Sequence, residues 1–377
     1  MHDPQFNEKK GPHDWPMWWA AAGLMLIGTA FIYSATSGGV VRMAWYKEIY
    51  LHQILWYGLG TGAALALGAI EYGRLVRWAA VFYWGAIVLL VAVFIIGAEH
   101  HGGKRWINLG GFSLQPSEFA KIAFILWLGG YLSRPQEELR TGKVFLTVLG
   151  YTLAPFVLVL KEPDLGSALV FLAISLAMMF AAGVSGRMLG GLVGGLGLLV
   201  VLTVAAILFS PPKFKIVEPY QKARLLTYFG RDKSYNVEQA LISIGSGGLT
   251  GKGWTQGTQH SLGFLPPAGA HNDFIFSVIA EEEGFVGSVV VLALYAVLLF
   301  SGITIASQAR DHLGQLLAVG VVTLLFCHVF INIGMNIRLM PVTGIPLPLL
   351  SYGGSSVVCS LIAIGILHNV HIYRRSY

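Results

Sequence analysis

Ten separate runs of roughly 20 apolar residues dominate this chain, each about the length a helix needs to cross the hydrocarbon core of a bilayer. They begin near Pro16, Tyr50, Trp78, Leu114, Val144, Leu165, Leu189, Asn272, Leu313 and Leu347. Apolar residues make up 55% of the 377, and charged residues only 12%, too few to cover a surface that faces water. A soluble globular domain is therefore excluded. The expected fold class is an all-α polytopic membrane protein with about ten transmembrane helices. The first run follows a hydrophilic tail, is too long for a signal-peptide core and lacks a small-residue cleavage site, so it is expected to remain as a span. Cys327 and Cys359 lie inside apolar runs and read as small core residues.

Charge placement orients the bundle. An even number of spans puts both termini on one side. If that side is the cytoplasm, the short inner segments carry Lys9, Lys10, Arg74, Arg77, Arg134, Arg140, Lys143, Arg187, Arg310, Arg374 and Arg375, and the short outer ones only Arg42, Lys47, Lys104, Arg105, Lys161 and Arg338. The positive-inside rule favours that arrangement. Residues 1–15 and 372–377 are then cytoplasmic tails flanking one transmembrane domain, 16–371. The connection 210–271, between spans seven and eight, becomes a large extracytoplasmic loop. A loop of about sixty residues is usually functional or disordered. Its Tyr, Phe, Trp and Leu content argues against disorder, and it is expected to fold over the external mouth.

The eighth run would reach roughly 50 Å as one helix, against a core of about 30 Å. Gly284 and Gly287 interrupt it, so its first part should project outward or bend along the interface. No internal repeat is evident, which gives an inverted-repeat transporter no support.

An ionisable side chain within a span costs about 2.5–3.5 kcal/mol on insertion scales, so it marks candidate chemistry. Glu118 and Lys121 stand three apart at the start of the fourth run and can pair on one helical face. They read either as an ion pair that closes the bundle or as the polar wall of a cavity open to the outside. Glu162 and Asp164 lie between runs five and six. Asp164 can be a helix N-cap, whereas Glu162 has no such role. Asp273 opens the eighth run, with Ser277 and Glu281 following on the same face. It reads as another helix cap or as a general base, because partial desolvation raises a carboxylate's pKa toward neutrality. Glu281, Glu282 and Glu283 cannot all face lipid.

Other motifs are weaker. Gly245–Gly253, GSGGLTGKG, resembles a phosphate loop but fails its pattern at Ser246 and Gly253. Its backbone amides and Lys252 could still contact a phosphate. His100 and His101 have no third metal ligand nearby in sequence, so no metal site is assigned. NIRLMPVTGIPLPLL and SYGGSS place Pro and Gly where a helix would not choose them. Broken backbone at membrane depth is tolerated only when buried in protein or lining a cavity.

KRWINLGGFSLQPSEFAK, EPDLGSALV, SIGSGGLTGKGWTQGTQ, HNDFIFSVIAEEEGFVG and MPVTGIPLPLLSYGGSS together resemble the signatures of the SEDS family (shape, elongation, division and sporulation), in order over nearly the whole chain. GKGWTQGTQ and PVTGIPLPLLSYGGSS resemble its RodA branch more than its FtsW branch. The resemblance implies a glycosyltransferase of the bacterial inner membrane that polymerises lipid II outside the cytoplasm. The family's essential aspartate maps onto Asp273, its Glu and Lys of the QPSE segment onto Glu118 and Lys121, its Trp onto Trp106 and its PDLG aspartate onto Asp164. The chain departs from the family at FLPPAGAHNDFIF, where Pro267 stands in place of a common Glu, two residues are extra and Asn272 replaces Thr. Any role of that Glu is in doubt here.

The implied chemistry needs a base beside the attacking hydroxyl, for which Asp273 is the candidate, and cations for the departing pyrophosphate. Lys104, Arg105, Arg224 and Lys252 are outside and available, and Glu162 joins the polar substrate-binding set. A divalent cation, Mg or Mn, could assist the leaving group, although no ligand cluster in the sequence specifies one. The RodA resemblance also implies a class B penicillin-binding protein as transpeptidase partner. The alternative is a lipid II flippase with the same cavity. A scaffold without activity leaves the costly carboxylates unexplained.

Overall fold

A computed structural model describes residues 14–37, 48–100, 103–108, 113–209, 235–265 and 267–374. Ten of its helices have 17 to 33 residues, close to the ten apolar runs: α1 (Trp15–Ser37), α2 (Ile49–Gly68), α4 (Ala79–Ile96), α5 (Pro116–Leu132), α7 (Gly142–Lys161), α8 (Leu165–Ala182), α9 (Gly186–Phe209), α13 (Ile275–Ser307), α14 (His312–Asn336) and α15 (Gly354–Ile372). Five short helices lie between them: α3 (Tyr72–Arg77), α6 (Gln136–Leu139), α10 (Tyr235–Gly247), α11 (Thr258–Ser261) and α12 (Pro267–Ala270). Among the described residues seven helices are long and apolar enough to cross a membrane: α1, α4, α7, α8, α13, α14 and α15. Helix α5, with 17 residues, turns the charged Glu118 and Lys121 inward and buries most of its length in protein. Its surroundings are other helices more than lipid.

The expected all-α class needs one correction. The segment before α5 forms a small antiparallel sheet, β1 (Ala98–His100), β2 (Gly103–Asn108) and β3 (Ser113–Leu114), in the order β1-β2-β3. Ala98 pairs with Trp106, and Ile107 with Leu114. Strands this short carry too little alternation to be read from sequence.

Local chemistry sets the helix ends. Asp164 caps α8 by accepting from Ser167 N at 3.0 Å, and Asp311 caps α14 by accepting from Gly314 N at 2.7 Å. Pro116 opens α5, where its missing N–H costs nothing. Pro155 sits inside α7 and deprives the Tyr151 carbonyl of its helical donor. The Tyr83 hydroxyl donates to that carbonyl at 2.7 Å, as a buried backbone group in an apolar medium requires.

Helix α15 is buried along nearly its whole length and forms the centre of the bundle. Gly60, Ala64 and Gly68 of α2 recur at four-residue spacing against Leu361, Gly365 and His368, so small residues bring the two helices close. The long helix α13 breaks where sequence suggested. Gly284 has φ 66° and ψ −156°, outside helical geometry and in a region only glycine tolerates. A Cβ there would stand 2.4 Å from the Gly251 nitrogen, so the segment after α10 packs directly into the break.

The last apolar run does not become helix at Leu347. Residues 337–353 are irregular, and α15 starts only at Gly354. Thr343, Ile345, Leu347, Leu349, Leu350 and Ser351 of this strap are nonetheless buried. This is broken backbone enclosed by protein, as the Pro and Gly content suggested.

Candidate functional site

Asp273 lies at the turn into α13, half-buried, and its backbone is fixed from two sides. Its carbonyl accepts from Asn332 Nδ2 and Asn336 Nδ2 of α14, each at 3.0 Å. Ser277, one turn later, donates to Asn336 Oδ1 at 2.5 Å. The strap provides the other side. Ser351 Oγ donates to the Asn272 carbonyl at 2.7 Å, and Tyr352 N to the His271 carbonyl at 2.9 Å. Gly344, with φ 76°, lies against the carboxylate, and a Cβ added there would be 3.5 Å from Asp273 Oδ2. The N-cap position of α13 belongs to Phe274, so Asp273 is not its cap residue.

The strap joins this corner to the start of α8. On its other side Thr343 and Ile345 pack on Gly166, where any added Cβ would stand 2.7 Å from both. Asp164, two residues earlier, is buried and performs the capping expected of it. Its neighbour Glu162 is the anomaly. That side chain is 1% exposed, and neither carboxylate oxygen has a hydrogen-bond partner among the described residues. Burial, reinforced by the Asp164 charge and opposed by Arg105, pushes its pKa up to about 8. Arg105 donates through Nε to the Glu162 carbonyl at 2.8 Å and through a terminal nitrogen to the Pro163 carbonyl. Its guanidinium therefore docks β2 on the α7–α8 turn. Trp106 beside it is half-buried, and Lys104 is exposed.

Glu118 and Lys121 meet at 2.7 Å with side chains 3% and 0% exposed. Lys121 Nζ also lies 2.8 Å from His328 Nε2, a third member that the sequence reading did not select. Asn332 and Asn336 were missed as well. The signal was present: His328, Asn332 and Asn336 follow at four-residue spacing along an apolar helix, the same kind of polar intrusion that drew attention to Glu118.

The three glutamates after the turn divide. Glu281 and Glu282 are fully buried, and Glu283 is half-buried. Glu281 accepts from Lys252 Nζ at 2.5 Å, from Thr258 N at 2.8 Å and Thr258 Oγ1 at 2.9 Å, and from Gln259 N at 3.2 Å. Glu282 accepts from Ser34 Oγ at 2.5 Å, Thr255 N at 3.1 Å and Gly257 N at 3.3 Å. Residues 255–259, just after the segment that resembled a phosphate loop, thus wrap the protein's own carboxylates, and Lys252 of that segment joins them. The amides of Gly251, Lys252 and Gly253 are likewise committed, to the carbonyls of Gly247, Glu281 and Glu282. These three amides are therefore not available for the phosphate contact that the sequence left open. Lys252, 27% exposed, also donates to Thr258 Oγ1 at 2.7 Å, which leaves one of its three N–H bonds for a ligand. Glu281 lies eight residues beyond Asp273, about 12 Å along a helix axis, so Lys252 belongs to a neighbouring region and not to the Asp273 corner.

Arg224 lies outside the described residues, as do the two terminal tails apart from Asp14, Trp15 and residues 372–374. Among the described residues no three His, Cys, Asp or Glu side chains are placed to hold a metal ion.

Comparison with known proteins agrees with this architecture. The chain is 39% identical over 307 residues to the peptidoglycan glycosyltransferase MrdB of Escherichia coli K12, covering 79% of each chain. It is 33% identical to the peptidoglycan glycosyltransferase RodA of Treponema pallidum, covering 92% of this chain and 95% of that one. Among solved structures it is similar, with TM-score 0.79 and 29% identity, to a chain from a study of the structural coordination of polymerization and crosslinking by a peptidoglycan synthase complex; the match covers 96% of this chain and 98% of the other. The crystal structure of the rod shape determining protein RodA of Thermus thermophilus is similar with TM-score 0.68 and 29% identity, over 97% and 98% of the two chains. With residues 14–376 matching the family described as cell cycle protein, the chain belongs to the FtsW/RodA/SpoVE family.

Proposed function

We propose that this chain is a peptidoglycan glycosyltransferase that polymerises lipid II at the outer face of the bacterial inner membrane, in cell elongation and shape maintenance, with Asp273 as its general base. The observation that carries the reading is a half-buried carboxylate whose backbone is held by two asparagines and a buried strap. Such support keeps a base in one place. In the reaction the 4-hydroxyl of one N-acetylglucosamine attacks the anomeric carbon of another chain's N-acetylmuramic acid. The bond from that carbon to the phosphate oxygen breaks, undecaprenyl pyrophosphate departs, and the hydroxyl proton passes to Asp273. Lys104 and Arg224 are the cations assigned to the pyrophosphate, and the free N–H of Lys252 is left for a more distant part of the substrate. Arg105 contributes mainly by fixing the α7–α8 turn. A divalent cation would be bound through the pyrophosphate oxygens, which attract Mg or Mn without a dedicated protein cage.

The ten long helices support ten spans, and the excess of Lys and Arg on the short inner segments supports both termini in the cytoplasm and residues 210–271 outside. The solved synthase complex, in which polymerization and crosslinking are coordinated, supports a class B penicillin-binding protein as partner. The test is polymerisation of lipid II by the purified full chain in detergent, where there is no second leaflet to flip into. Wild type should form glycan strands and Asp273→Asn should not, with folding intact, because the amide keeps the shape and loses the basicity. A variant that polymerises within a few-fold of wild type refutes the assignment of the base.

A further inference from the structure

His328 stands where the Glu118–Lys121 pair approaches the strap. Its Nε2 lies 2.8 Å from Lys121 Nζ, which is bonded on its other side to Glu118. An ammonium can only donate, so Nε2 is the acceptor and the ring proton belongs on Nδ1. The ring also interacts with the backbone of Pro346, in the strap. One residue earlier, the Ile345 carbonyl accepts from Asn332 Nδ2 at 2.7 Å, and the same amide nitrogen donates to the Asp273 carbonyl. One residue before that, Gly344 lies against Asp273 Oδ2. The path from the ion pair to the carboxylate therefore runs through one imidazole and three consecutive strap residues. His328 is 3% exposed and Asn332 is fully buried.

We propose that His328 is a positioning residue for glycosyl transfer, tying the strap to the Glu118–Lys121 pair so that Gly344 and Asp273 keep one mutual placement. The strap has no regular secondary structure, so its position depends on side-chain ties. Lys121 cannot shift without stranding Glu118, which makes the ion pair a rigid anchor for the ring. Misplacing a reacting group by about 1 Å can cost roughly a hundredfold in rate. The inference rests on the reading of Asp273 as the base.

The test uses the purified full chain with lipid II, measuring kcat, KM and the melting temperature, with Asp273→Asn run in parallel. His328→Leu should lower kcat at least about tenfold and leave KM within about twofold. His328→Gln, whose amide can accept from Lys121 and donate to Pro346, should stay within about threefold of wild type. His328→Asn is polar but too short to reach both partners, so it should fall with the leucine variant; if the leucine variant does not fold, the Gln and Asn pair decides. Equal kcat in the Gln and Asn variants overturns the proposal. So does a loss confined to KM, a loss that only follows the melting temperature, or wild-type kcat in His328→Leu. Activity in Asp273→Asn overturns the base assignment instead, whereas an inactive Asp273→Asn beside a fully active His328→Leu overturns the positioning role alone.

Discussion

Replacing Glu162 by glutamine should make this protein more stable in alkali and remove a pH dependence that wild type displays. The side chain is buried, its oxygens have no hydrogen-bond partner among the described residues, and its pKa rises from 4.5 to about 8. In the folded protein the carboxyl keeps its proton up to that value. In the unfolded chain it loses it near 4.5. Between those two points the folded state binds more protons, so stability falls as pH rises. At about 1.4 kcal/mol per pKa unit, the full difference is on the order of 5 kcal/mol, reached only above pH 8, and about 3 kcal/mol is already lost at pH 7. Glutamine is nearly isosteric with the protonated acid and cannot ionise. Its melting temperature in detergent, scanned from pH 5 to 9 beside wild type, should match within a degree or two at the acid end, exceed wild type by a margin that grows steadily as pH rises toward 8, and keep a constant lead beyond. All other titrating groups are common to both proteins and cancel in the difference. Parallel curves across the whole range would show that Glu162 is not a buried neutral acid.

Three further outcomes follow from the same contacts. Glu118→Gln and Lys121→Met should each destabilise, the lysine change by about 3–5 kcal/mol because it strands a buried carboxylate, and the glutamate change by less because His328 still accepts from Lys121. The double variant should regain part of the loss in thermal melts, and strictly additive losses would show that the two charges act separately. Gly284→Ala should lower stability by at least about 1–3 kcal/mol, from backbone strain and from the collision with Gly251, and an unchanged melting temperature would contradict the break in α13. Purification from native membranes should bring down a class B penicillin-binding protein whose addition raises polymerisation; unchanged activity on adding it would rule out the activation, and failure to co-purify would rule out a stable complex.

What could be read directly from the sequence was whatever depends on neighbours along the chain or on the solvent as a whole. The apolar runs announce membrane helices because lipid tolerates no other long apolar segment. Asp164 announces a helix start, Glu118 and Lys121 a pair three residues apart, and the eighth run a break, because these follow from helix pitch and bilayer thickness. The need to bury at least one of Glu281, Glu282 and Glu283 was equally legible. Which groups would receive them was not. Ser34 reaches Glu282 across 248 positions, Lys252 reaches Glu281 across 29, and His328 reaches Lys121 across 207. The phosphate-loop resemblance was misleading for the same reason: a run of glycine amides is visible locally, but backbone carbonyls of Gly247, Glu281 and Glu282 take up those of Gly251, Lys252 and Gly253. Tertiary structure alone also decided that residues 337–353 would lie between Gly166 and Asp273. Such pairings are set by how helices stack, and in a medium that cannot solvate a polar group each buried donor or acceptor takes whichever partner the packing brings within reach.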